Sequence, residues 1–171
     1  HRDLHSFPTR RSSDLADRNT AIIFADGAGA MLVSNADEPG FGPVAWGSDG
    51  TAEELFVLSP IPAHESGASA PPSVRMDGPT LARRFGSKMA PIARQALDAA
   101  ELTWDDISAF VPHQANERLT NRFVDELGLP GHVGVARSIR TDGNTSAASI
   151  PLAVDDLISS DQVRSGDLAL L

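Results

Sequence analysis

Residues 107–119 read ISAFVPHQANERL and residues 139–158 read IRTDGNTSAASIPLAVDDLI. The first stretch opens on a short apolar run, Ile107 to Val111, and turns at Pro112. It then enters a helical pattern from about Asn116, in which Leu119, Phe123 and Leu127 share one face until Gly128 and Pro130 stop it. The second stretch follows an expected strand, Val133 to Ile139. It leads into a small-residue helix, Ser146 to Ile158, with Pro151 near its first turns. Leu168 to Leu171 opens another strand. Strand, helix, strand, helix, strand in this order predicts an α/β unit with helices packed on a mixed sheet.

Upstream, Leu81, Phe85, Met89, Ile92, Ala96 and Ala100 fall on one face of a long helix, with a kink or break expected at Pro91. Thr103 to Asp106 reads as a cap and a helical turn. Ser59 to Pro79 holds five prolines among Gly, Ser and Ala, and predicts a loop or linker. Thr20 to Phe24 and Ala30 to Ser34 are apolar runs on either side of Ala25-Asp26-Gly27-Ala28-Gly29, which predicts a hairpin around a tight, close-packed turn. Val44 to Gly47 reads as a third strand.

Composition narrows the function classes. The chain has 171 residues, 41% hydrophobic and 22% charged, which is ordinary globular material, and its formal net charge is −9. No long basic block offsets that charge, so nucleic-acid binding has little electrostatic support. No apolar run approaches the roughly 18 residues of a membrane span. With no cysteine in the chain, disulfides, thiolate metal sites and a cysteine nucleophile are all excluded from it. The composition predicts an acidic cytoplasmic protein.

Two loops carry candidate chemistry. His113 and Asn144 each lie at an expected strand-to-helix crossing, where crevices form in open α/β sheets. Taken singly, each is better explained as a cap or turn residue. Taken together, an imidazole and a carboxamide offer two donors to one developing oxyanion. Asp26 to Ala30 fails as a dinucleotide fingerprint, because Leu32 stands where the third glycine belongs and no helix is expected to follow. His64 and His132 have no ligand-spaced partner and read as solvated loop residues.

VPHQANERL at 111–119, GNTSAASIPLA at 143–153 and ADGAGAMLV at 25–33 together resemble β-ketoacyl-acyl-carrier-protein synthase III. The resemblance implies a thiolase-like layered αβαβα fold, of which this chain holds the end of the first half and most of the second. Its divisions would be 16–58 for the end of the first half, 59–79 for a linker and 80–171 for the second half. Residues 1–15 (HRDLHSFPTRRSSDL) resemble instead the in-frame translation of a sequencing adapter, without fold or function, so that the natural N-terminus would be missing.

The resemblance further implies a decarboxylative Claisen condensation of acyl-CoA with malonyl on acyl carrier protein, at the initiation of fatty acid biosynthesis, with no cofactor and no metal. His113 and Asn144 would be the catalytic donors to the enolate. Gly78, Ala115 and Asn116 match substrate-channel positions. Arg83 and Arg118 match basic positions that meet the acidic carrier protein, although both also read as ordinary helix surface. The family places an Asn after the channel glycine and a Phe near the next helix start. Pro79 and Leu81-Ala82 stand there instead, so acyl preference stays open. The nucleophilic cysteine and the closing glycine-rich segment are expected outside this chain, which alone should not condense. The parent is expected to be a homodimer with no nucleic-acid or membrane partner. Two other readings stand beside this one: a polyketide-type starter synthase, and a non-catalytic chain-length-factor-like subunit.

Overall fold

In the structure, a computed structural model, the described residues are 17–37, 40–59 and 73–171. The expected adapter segment and His64 lie outside them. Helix α1 (Arg18–Ala21) forms because the Asp17 carboxylate accepts from the backbone N–H groups of Asn19 and Thr20, at 3.1 and 3.4 Å. Thr20 to Phe24 is therefore mostly helix and turn, not the expected strand. Phe24 alone keeps a ladder contact, a parallel bridge to Asn144.

The expected hairpin is also absent: residues 25–36 carry no strand, and neither does 44–47. Leu32 is 99% exposed, and Val44 and Trp46 are exposed as well. An apolar, β-branched run becomes a strand only where another strand supplies the ladder, and among the described residues no strand runs beside 30–34 or 44–47. The glycines are close-packed as expected, though without a turn. A Cβ on Gly27 would stand 2.5 Å from the Thr145 side chain, and one on Gly29 would stand 2.5 Å from Pro151.

After a 3-10 stretch (Gly50–Leu55), strands β1 (Phe56–Ser59) and β2 (Ser73–Met76) pair antiparallel, Phe56 opposite Met76. Residues 73–79, read as part of a loop, are thus strand and helix start; 60–72 lie outside the described residues. Asp77 caps α2 (Gly78–Ala99), accepting from Thr80 N at 3.1 Å, and Pro79 occupies the first turn, where its missing N–H has no partner to lose. The helix does not break at Pro91. Its buried positions are Gly86, Ala90 and Leu97, while Met89 is exposed, so the buried face is turned slightly from the expected stripe. At Gly86 the helix closely meets the one that holds Glu126: a Cβ there would come within 2.5 Å of the Glu126 carboxylate.

Thr103 and Asp106 form a reciprocal capping box around the turn Trp104–Asp106, as expected. The chain then enters β3 (Ala109–Phe110), α3 (Glu117–Leu127) and β4 (Gly134–Val135), followed by α4 (Ile139–Asp142), a 3-10 turn (Ser146–Ala148), α5 (Ser149–Ser159) and β5 (Ala169–Leu170). Three strands lie in the order β4-β3-β5, all parallel rather than mixed. The two faces of β3 divide the core. Phe110 packs with Ile107, Phe123, Leu127 and Val133 on the α2–α3 side, with Phe85, Phe123 and Phe110 in successive edge-to-face contacts at 5.4 and 5.1 Å. Ala109 and Val111 pack with Ala136, Ala153 and Leu157 on the α5 side. Helices thus cover both faces of a short parallel sheet.

Candidate active site

The two candidate loops emerge beside each other above this sheet. From β3 the chain runs through buried Val111 and Pro112 to His113 and Gln114. Gln114, fully buried, braces the loop: its Nε2 donates to Pro112 O at 2.8 Å and Ala136 O at 3.2 Å, and its Oε1 accepts from Ile139 N at 3.2 Å. That last bond helps turn the chain after β4 into α4. A short helix, not the expected long strand, therefore leads into Gly143 and Asn144. Asn116 caps α3, its Oδ1 accepting from Leu119 N at 2.9 Å.

Asn144 is 4% exposed and held on two sides. Its carbonyl accepts from Ala25 N at 2.8 Å, and its side-chain Oδ1 accepts from Ser146 N at 3.0 Å. The oxygen is thereby engaged in the turn, which leaves the carboxamide nitrogen to donate. Gly143 has φ +72°, and a Cβ there would stand 2.8 Å from Ala25, so both conformation and space require glycine.

The loops are tied together through Ser149, the first residue of α5. Its Oγ lies 2.7 Å from His113 Nδ1 and 3.2 Å from Gln114 N. His113 is exposed along its outer edge, yet the atoms packed around the ring exclude enough water to hold its pKa below the ordinary histidine value.

A cavity of about 440 Å³ opens next to this pair. Gly78, Pro79, Ala115, Asn116 and Asn144 all line it; His113 itself does not, though Ala115, two residues on, does. The expected channel residues are thus gathered round one space. Arg83 and Arg118 are exposed on α2 and α3; Arg83 donates to Thr80 Oγ1 at 2.6 Å. His132 is exposed, with Nε2 3.0 Å from Trp104 O. Among the described residues no group of His, Asp and Glu could hold a metal, and no helix is long and apolar enough to cross a membrane. Sequence reasoning did not single out Gln114 or Ser149. A glutamine beside a candidate histidine carries no distinctive signal, and a serine in the first turn of a helix reads as a cap.

Residues 97–171 match the family model described as 3-oxoacyl-[acyl-carrier-protein (ACP)] synthase III C terminal, and residues 9–50 match 3-oxoacyl-[acyl-carrier-protein (ACP)] synthase III. Beta-ketoacyl-[acyl-carrier-protein] synthase III 1 of Streptomyces coelicolor is 44% identical, over 93% of this chain and 50% of the relative. The mycobacterial beta-ketoacyl-[acyl-carrier-protein] synthase III of Mycobacterium marinum is 40% identical, over 92% of this chain and 48% of that protein. Among solved structures, the priming beta-ketosynthase of the R1128 polyketide biosynthetic pathway superposes with a TM-score of 0.80 at 38% identity, covering 94% of this chain and 49% of that one. The 3-oxoacyl-[acyl-carrier-protein] synthase III of Aquifex aeolicus VF5 gives 0.79 at 31%, covering 92% and 48%. The chain spans about half the length of the curated relatives it matches.

Proposed function

Because this chain belongs to the 3-oxoacyl-[acyl-carrier-protein] synthase III family, with its thiolase-like fold, we propose that it carries the donor pair of a decarboxylating condensing enzyme. The reaction is the condensation of acyl-CoA with malonyl on acyl carrier protein, at the initiation of fatty acid biosynthesis. The observation that carries this reading is the disposition of Asn144: its Oδ1 is bound to Ser146 N, so its amide nitrogen is the group offered to the cavity it lines.

Loss of carbon dioxide from a malonyl thioester leaves an electron pair that spreads onto the thioester oxygen as an enolate. Neutral donors held in place beforehand stabilise that charge without reorganising, and losing one typically costs about 10²–10³ in rate. Asn144 supplies an N–H, and His113 supplies a second from the ring nitrogen that faces away from Ser149. Gly78, Ala115 and Asn116 form the wall along which the thioester's arm enters. Arg83 and Arg118, exposed on an acidic protein, attract the acidic carrier protein to the mouth. The acyl group is carried by a cysteine that this chain does not contain. The working enzyme is a cytoplasmic homodimer.

A second reading, a starter synthase of polyketide type, is favoured by the likeness to the R1128 priming ketosynthase and by Pro79 at the cavity wall. Both readings use the same donors and differ in the acyl group accepted.

The test is a chimera in which residues 17–171 replace the matching segment of the Streptomyces coelicolor relative. It should form ketoacyl product from acyl-CoA and malonyl carrier protein, and His113→Ala and Asn144→Ala should each reduce the rate about 10²–10³-fold. A folded but inactive chimera, or full activity in either variant, contradicts the proposal. Competition between acetyl and longer or branched acyl-CoA separates the two readings.

A further inference from the structure

The site holds a buried hydroxyl that the condensation reading does not itself require. Ser149 is 1% exposed, and its Oγ meets two groups, Gln114 N at 3.2 Å and His113 Nδ1 at 2.7 Å. A backbone N–H only donates, so toward Gln114 the hydroxyl oxygen is the acceptor. The hydroxyl proton must then find an acceptor of its own, because an unpaired buried donor is costly. The carbonyl one turn back, Thr145 O, takes its bond from Ala148 N at 3.2 Å and none from Ser149. His113 Nδ1 is the acceptor in reach.

We propose that Ser149 is a positioning residue that fixes His113 in one tautomer, by donating its hydroxyl proton to Nδ1 so that Nε2 carries the ring proton. The inference rests on the reading of His113 as an enolate donor. A histidine free to exchange tautomers offers an N–H toward the reacting oxygen only part of the time; one locked by Ser149 offers it always. Gln114 completes the device, because its N–H orients the serine and its buried carboxamide holds both adjoining loops. His113, Ser149 and Asn144 thereby become one unit: Ser149 lies five residues beyond Asn144 on the same segment.

The test reads the tautomer directly. Long-range proton–nitrogen correlation spectra of the 15N-labelled 171-residue chain, at a pH where the ring is neutral, should show Nδ1 as the unprotonated nitrogen and Nε2 as the protonated one. His113→Gln assigns the signal by its loss. A wild-type spectrum with the proton on Nδ1 overturns the inference, whatever the variants do. Ser149→Ala should give a mixture of tautomers, and Ser149→Thr, which keeps the hydroxyl, should restore the single form; an unchanged spectrum in Ser149→Ala also overturns it. In the chimera, Ser149→Ala should lower kcat at least about tenfold with KM for the malonyl substrate unchanged, a milder form of the loss that follows a wrong tautomer. The expected tautomer in an inactive chimera supports the role of Ser149 and sinks the condensing function instead.

Discussion

Asn144 separates two duties between its two side-chain atoms, and a single substitution can tell them apart. Asn144→Asp keeps an oxygen for Ser146 N and replaces the donor with a carboxylate at the place where negative charge develops. Decarboxylation by the chimera should fall by at least about 10²–10³ while its thermal midpoint stays close to wild type; a rate near wild type would remove Asn144 from the chemistry.

His113 gives a second residue-scale prediction, through its protons. Desolvation lowers its folded pKa, so the unfolded chain binds the proton more readily. The stability that neutral His113 contributes is therefore complete above its unfolded pKa of about 6.5 and is lost as pH falls from there through the lowered folded value. Urea unfolding at pH 8 and pH 5 should show this loss, and His113→Gln should abolish that share of it. The NMR titration midpoint of His113 should lie below about 6.5; a higher one contradicts the partial exclusion of water from its ring. At this scale the sequence made His113 and Asn144 legible, because distinctive short strings surround them. Ser149 and Gln114 were not legible, since their importance lies in contacts 22 to 36 residues away in the chain.

At the scale of elements, the glycines divide into those that can be replaced and those that cannot. Gly86 sits inside α2, and the group that a Cβ would meet is the exposed, flexible end of Glu126, which can swing aside. Gly86→Ala should thus be neutral or stabilise the chain by up to about 1 kcal/mol, from helix propensity and a less free unfolded chain. Gly143→Ala is the opposite case: positive φ and the nearby Ala25 make it cost about 1–3 kcal/mol, and it displaces Asn144. Chemical denaturation of both variants checks the contrast; equal effects would contradict it.

Helix α3 was fully legible, because Leu119, Phe123 and Leu127 repeat along one face, Asn116 caps the start and Gly128, at φ +64°, ends it. The lead into Asn144 was not. Val133 to Ile139 has the composition of a strand, but the bond from Ile139 N to Gln114 Oε1 turns its end into α4. Such a bond crosses 25 residues and leaves no local pattern.

Across the whole molecule, the packed part is the sheet with α2, α3 and α5, and the segment before β1 is differently placed. Met31, Leu32, Val33, Phe41, Val44 and Trp46 are all exposed, a run of apolar side chains with no cover among the described residues. In the sequence, Met31, Leu32, Val33, Val44 and Trp46 fall in expected strands, and their composition suits one. Propensity cannot say whether a ladder partner is present. Surface of this kind promotes association, so the purified chain should bind a hydrophobic dye and sediment as a concentration-dependent mixture. A monodisperse chain that leaves the dye dark would contradict this picture of the segment.

In the proposed reaction His113 and Asn144 act on one oxygen. The most direct test is a double-mutant cycle on carbon dioxide release from malonyl carrier protein by the chimera, with His113→Ala, Asn144→Ala and the pair together. Donors that act as a unit are strongly non-additive, so the double variant should be little worse than the worse single variant, each single loss being about 10²–10³-fold. Losses that multiply would mean that the two residues act independently, and no loss in either would mean that this site does not decarboxylate.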